Sequence, residues 1–160
     1  MVFVVFLLFG DRIFPPAGTT RHNGRLYRVH DTSHLTRLEE LRHLSLQIVD
    51  GLPPSWARFF TMWRIRRCIF SERGNDATTY LALTIDKGRE LIICLDYEDE
   101  NTLRYVLVHE LAHVYTRSIG HTPEFYRNMD RLLDSARAQG LYVSQGKRRV
   151  TFCGTHVDVS

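Results

Sequence analysis

His109-Glu110-Leu111-Ala112-His113 sets two imidazoles four residues apart, with a carboxylate beside the first. On a helix this spacing brings both histidines to one face, one turn and ~6 Å apart along the axis. Their nitrogens can then meet a single metal ion from the same side. Glu110 falls next to them, within reach of a water on that metal without being a ligand, which is the geometry of a general base. A catalytic zinc takes three protein ligands and keeps one position for water, so a third ligand must approach from outside the helix. Gly120-His121 follows after seven intervening residues. Gly120 allows the chain to reverse, and Thr122-Pro123 opens the next helix, so His121 is expected to face back toward His109 and His113. Glu124, Asp130 and His156 are rivals for the third place, with Glu124 the chief competitor. The expected site is therefore Zn2+ on His109, His113 and His121, with Glu110 as the base. Tyr115, Arg117 and Tyr126 are candidates, by proximity in sequence, for stabilising an oxyanion. His22, His30, His34 and His43 show no ligand spacing and read as surface residues.

Two helices must position this set. Asn101 or Asp99 can cap a helix running to about Arg117, with Leu103, Val106, Leu107, Leu111 and Val114 along one face. Thr122 at N-cap, Pro123 at N1 and Glu124 in the first turn start the second. Phe125, Met129, Leu132, Leu133 and Ala136 continue it, and Gly140 ends it. Upstream, residues 10–24 read as a loop and Gly24–Val29 as a short strand. A helix is expected near Ser33–Val49, with Thr36-Arg37-Leu38-Glu39 of capping-box form and Ser33 an equal candidate for the cap. Leu38, Leu41, Ser45 and Ile48 form its stripe. Ser55–Met62 reads as a short helix. Ile65–Phe70, Thr78–Ile85 and Glu90–Leu95 read as strands of a small antiparallel meander, the last two joined at Asp86-Lys87-Gly88. One more strand is expected near Arg149–Cys153.

The length of 160 residues suits one domain, and 44% hydrophobic with 24% charged residues is the composition of a globular chain. A net charge of +3 is too small to argue for nucleic acid. Cys68, Cys94 and Cys153 show no CxxC or scaffold spacing, which favours a reducing, intracellular setting, cytoplasmic or nuclear. Cys94, in an apolar run, reads as a buried inert thiol. Met1–Phe9 is continuously apolar but far short of the ~20 residues a membrane-spanning helix needs. It reads as a buried strand or an extension, with signal targeting the lesser alternative, so no membrane span is expected. Arg64, Arg66 and Arg67, near Trp56, Phe59, Phe60 and Trp63, read as a strand with exposed arginines beside core aromatics rather than as a nucleic-acid surface. Lys147-Arg148-Arg149 reads as a solvated turn.

The run from Val106 to His113, followed by Gly120-His121-Thr122-Pro123-Glu124-Phe125, resembles the SprT-like and WLM-type zinc metallopeptidases. These carry HExxH and then a GHxxxF-type segment. The likeness is greatest to the uncharacterised WLM-like proteins encoded by large DNA viruses, and covers roughly residues 65–155. It implies an α+β, compact zincin-like (minimal gluzincin-like) domain: an N-terminal helix, a small antiparallel sheet, the HExxH helix and a second C-terminal helix. Residues 31–160 would form that single domain, with 1–30 an extension or edge strand. It further implies a protein or peptide substrate, including DNA-associated or modifier-conjugated proteins. The gap between His113 and His121 is longer than in typical WLM members and shorter than in typical SprT members. Two readings stand beside the peptidase: a non-catalytic zinc-binding module, which would need a fourth protein ligand, and a DNA-associated adaptor using the arginine-rich segment.

Overall fold

A computed structural model describes residues 18–75, 80–97 and 99–160. The expectations for Met1–Phe9, and for the start of the strand at Thr78, lie outside the described residues. Among the described residues the chain is an α+β fold of four helices with a five-stranded mixed sheet and a separate hairpin.

β1 (Thr20–His22) and β2 (Arg25–Arg28) are joined by Asn23-Gly24, both left-handed at φ 46° and 74°. This is the two-residue turn that closes antiparallel hairpins, and it makes Thr20–His22, expected in a loop, a strand. A 3-10 turn, Thr32–His34, is capped by the Asp31 carboxylate, which accepts from the Ser33 amide at 2.9 Å. The helix α1 (Leu35–Asp50) continues directly from it, so neither Thr36 nor Ser33 serves as its cap. Leu38, Leu41, Ser45 and Ile48 are all buried.

Ser55 caps α2 by accepting from the Arg58 amide. This helix runs Trp56–Arg67, five residues past the expected end, and absorbs the first half of the anticipated Ile65–Phe70 strand. Thr61 and Ile65 are its buried positions, one helical turn apart, and arginine in the last turn suits the helix dipole. The strand that follows, β3, is Ile69–Glu72. On α2 the aromatic residues Trp56, Phe59, Phe60 and Trp63 lie outside the core rather than in it.

β4 (Ala82–Ile85) and β5 (Glu90–Ile93) pair antiparallel around the expected 86–88 loop, but the sheet is mixed rather than an antiparallel meander. The strand order is β1-β2-β3-β5-β4, with β2–β3 and β3–β5 parallel. The reason is burial. Leu91 and Ile93 of β5 are buried, so the more apolar strand takes the interior place beside β3, leaving half-exposed β4 at the edge.

Helices α3 (Glu100–Tyr115) and α4 (Pro123–Ala138) pack on each other, and α3 also touches α1, α2 and β4. Leu103, Leu107, Leu111, Phe125 and Leu132 from this pair join Leu38, Leu41, Tyr27, Phe70 and Leu91 in one core. Buried Arg42 fastens α1 to both neighbours. Its guanidinium lies between the Tyr27 and Phe70 rings, at 4.8 and 4.7 Å, and donates to the Ile65 and Leu26 carbonyls at 2.9 and 3.1 Å.

The tail forms two strands, not one: β6 (Arg148–Phe152) and β7 (Thr155–Val159), turning at left-handed Cys153-Gly154. That turn presents Cys153 to Cys94, and the two form a disulfide with Cα atoms 6.5 Å apart. Cys94 is therefore cross-linked and not an inert thiol, and the premise of three unpaired cysteines fails. Only Cys68 remains free, its thiol pushed up to about 12 by burial. No helix among the described residues is long and apolar enough to cross a membrane.

Thiol titration of the denatured, unreduced chain should find one reactive cysteine per molecule, rising to three after reduction. Arg42→Ala removes a donor from the Ile65 and Leu26 carbonyls and leaves a gap between two rings, and should lower stability by about 3 kcal/mol in a denaturant melt.

Candidate metal centre

The Asp99 carboxylate caps α3, accepting from the Asn101 and Thr102 amides at 3.2 and 3.1 Å. From this fixed start the helix delivers His109 and His113 side by side, ring centroids 5.1 Å apart. After Tyr115 the chain turns extended at Thr116, and Gly120 adopts φ 79°, a left-handed conformation in which a Cβ is strained. Thr122 then caps α4, with Pro123 in the first turn as expected.

This path brings His121 onto the other two. Its Nε2 lies 3.0 Å from Nε2 of His109 and 3.2 Å from Nε2 of His113. Ligands about 2.05 Å from a tetrahedral zinc are separated from one another by about 3.3 Å; the two separations from His121 match that spacing, and all three donor atoms lie within 4.8 Å of one another. Among the described residues these three histidines form a cluster that can hold a metal ion, and Glu124, Asp130 and His156 are not in it. Glu124 is engaged elsewhere. Its carboxylate accepts from the Arg117 and Ser118 amides and from the Ser118 hydroxyl, and these bonds hold its pKa below the usual carboxylate range. His156 sits on the β6–β7 hairpin.

Glu110 is 5% exposed and points at β4, where the Thr84 hydroxyl donates to Oε2 at 2.7 Å. Burial pushes its carboxyl up to about 7, against the lowering effect of Thr84. Burial, then the neighbouring imidazoles, depresses His109 to about 4; His113 falls to about 4 by burial, His121 and Lys87. Both are neutral near pH 7, the form that binds a metal.

Three residues have roles at the site that the sequence reading did not give them. Phe125 floors the site, its ring 5.0, 4.5 and 4.7 Å from those of His109, His113 and His121. Thr84 orients Glu110. Lys87, left-handed at φ 55° in the β4–β5 loop, lays its ammonium on the carbonyls of His113, Thr116 and Ser118. A signal for Lys87 was present. It is one of two lysines in a chain with nineteen arginines, and a compact ammonium can serve three converging carbonyls where a planar guanidinium cannot. Of the oxyanion candidates, Tyr126 lies nearest the cluster, 6.2 Å from the His121 ring, while Tyr115 and Arg117 line a cleft against α2.

Three viral proteins are similar to parts of this chain. Uncharacterized protein 042R of Invertebrate iridescent virus 3 is 54% identical over 46 residues, 29% of each chain. Uncharacterized protein 136R of Invertebrate iridescent virus 6 is 36% identical over 69 residues, 38% of each. Uncharacterized protein R325 of Acanthamoeba polyphaga mimivirus is 30% identical over 104 residues, 51% of this chain and 52% of the relative. The chain thus spans about half or less of the relatives it matches. No family model and no solved structure matches it.

Metal analysis of His121→Ala should show loss of stoichiometric metal, whereas Glu124→Gln should retain it.

Proposed function

We propose that the chain is a zinc-dependent metallopeptidase. The observation that carries this reading is the convergence of three imidazole nitrogens from one side, with a nearly buried carboxyl on the adjoining helix position. A closed structural zinc site takes four protein ligands, and a three-histidine cluster leaves a place for water and substrate, which favours the enzyme over the non-catalytic module.

Zinc held by His109, His113 and His121 would supply Lewis acidity, lowering the pKa of water to about 7 and polarising a peptide carbonyl. Glu110 accepts the proton of the attacking water and passes it to the leaving amine. Burial favours the protonated carboxyl that gives the proton up to the amine, and the zinc charge would favour the carboxylate that first accepts it. Thr84 holds the carboxyl by one oxygen, leaving the other for the reacting proton. Phe125 excludes water from beneath the ligands. Edge strand β4, which carries Thr84, offers a polypeptide a backbone edge beside the base. On the family likeness of residues 106–125, the substrates are DNA-associated or modifier-conjugated proteins.

Glu110→Gln in zinc-loaded protein should reduce cleavage of a denatured protein substrate by about 100-fold or more while leaving zinc content unchanged. Proteolysis that survives the change would remove Glu110 as the base.

A further inference from the structure

One face of α2 is apolar and turned to solvent. Trp56, Phe59, Phe60 and Trp63 recur at i, i+3, i+4 and i+7, and are 70%, 59%, 37% and 37% exposed. Its buried residues, Thr61 and Ile65, lie on the other side. A helix of a water-soluble domain turns its apolar stripe inward, and a contiguous exposed aromatic patch marks an interaction surface.

The geometry of the rings selects the partner. Trp56 and Phe60 stack at 6.2 Å and 13°, and Phe60 and Trp63 at 5.6 Å and 12°. The Arg64 and Arg67 guanidinium groups lie over the Phe60 and Trp63 rings, at 4.5 and 5.1 Å. A nucleobase needs an open ring face on which to stack. Here guanidinium groups occupy a face of Phe60 and of Trp63, and the four rings together form one apolar band. Charge supplies the second argument. Between Asp50 and Glu72 the chain has no acidic residue and four arginines, Arg58, Arg64, Arg66 and Arg67, and Arg66 and Arg67 are exposed at the end of the band. The third is a cleft of about 280 Å³ between α2 and the last turn of α3. Trp56, Phe60, Arg64 and Arg117 line it, and none of its described lining residues is acidic. Aromatic rings at headgroup depth, with guanidinium groups beside them for phosphates, are the composition of a helix that lies in a bilayer interface.

We propose that α2 is a peripheral anchor that binds the surface of anionic phospholipid bilayers. The helix lies on the membrane rather than crossing it. Because Val114, Thr116 and Arg117 form the other wall of the cleft, docking holds the end of the metal helix at the lipid boundary. On the peptidase reading, and only on it, docking would favour those of its protein substrates that lie at a membrane surface.

The chain carries its own reporter, since both of its tryptophans are in the band. Full-length protein titrated with mixed phosphatidylserine–phosphatidylcholine vesicles should sediment with them and show a blue-shifted tryptophan emission. Binding should be at least about tenfold weaker to pure phosphatidylcholine and should weaken as salt is raised. Trp56→Ser/Phe59→Ser should lower partition by about tenfold or more, and Arg66→Glu/Arg67→Glu should remove the preference for phosphatidylserine, both with metal content unchanged. Glu110→Gln should bind vesicles like the parent, so failure of the peptidase reading and failure of the anchor are separate results. Absence of vesicle binding overturns the proposal. So does full binding by Trp56→Ser/Phe59→Ser, which would assign it to the apolar residues 1–9. Tryptophan quenching by a single-stranded oligonucleotide without vesicle binding, or an oligomer that the double variant dissolves without vesicle binding, would overturn it in favour of nucleic acid or a second copy.

Discussion

The ammonium of Lys87 on the carbonyls of His113, Thr116 and Ser118 ties a sheet hairpin to the end of the metal-site helix and to the loop that follows it. The β4–β5 hairpin supplies the lysine, α3 ends at the carbonyls, and the loop beyond them carries His121. A helix leaves its last carbonyls without partners, and a cation there is favoured by the dipole. The same ammonium that satisfies these groups fixes the path of the loop. Glu124 holds that loop from the opposite end, through the amides of Arg117 and Ser118, and buried Asn128 donates to the Thr116 hydroxyl at 3.0 Å. The approach of His121 to within about a zinc ligand's spacing of its neighbours depends on these supports, because Gly120 itself constrains nothing.

Burial then sets the chemistry. The interior that aligns the α3 stripe also surrounds His109 and Glu110, and removing water disfavours the charged form of each. The histidines move down and the carboxyl moves up. A polar cluster thus sits beside a core at modest cost, because its members are close to neutral. A divalent charge on the imidazoles would draw Glu110 back toward carboxylate, so ligand set and base are linked through one desolvated volume rather than through direct contact.

What was legible in the sequence followed from local rules. The Asp99 and Thr122 caps, the α3 and α4 stripes and the turn before His121 all depend on residues within one or two helical turns of each other. What was hidden depended on partners far along the chain. Thr84 meets Glu110, and Lys87 meets His113, across twenty-six residues each. Cys94 meets Cys153 across fifty-nine, and an odd cysteine count disguised the pair. Strand order is not a local property: sequence neighbours need not follow one another across a sheet, and the apolar Leu91–Ile93 run competes for the interior position and displaces β4 to the edge. The end of α2 is ambiguous in sequence for a similar reason: Ile65 and the Cys68–Phe70 run share a strand-like composition, while Ile65 belongs to the helical phase of Thr61.

The aromatic face of α2 is the local conflict that remains in an otherwise consistent fold. Elsewhere the stripes of α1, α3 and α4 turn inward, and even a buried arginine has its donors matched. In α2 only Thr61 and Ile65 are buried, while four large rings are left in water. Stacking the rings on one another limits the apolar area exposed, and placing Arg64 over Phe60 at 4.5 Å covers more of it. These contacts reduce the cost without removing it. The three other helices bury their stripes, so a retained local cost in this one points to function rather than to poor packing. Its position agrees with that, because the cleft beneath the rings is walled by the last turn of the helix that carries His109, Glu110 and His113.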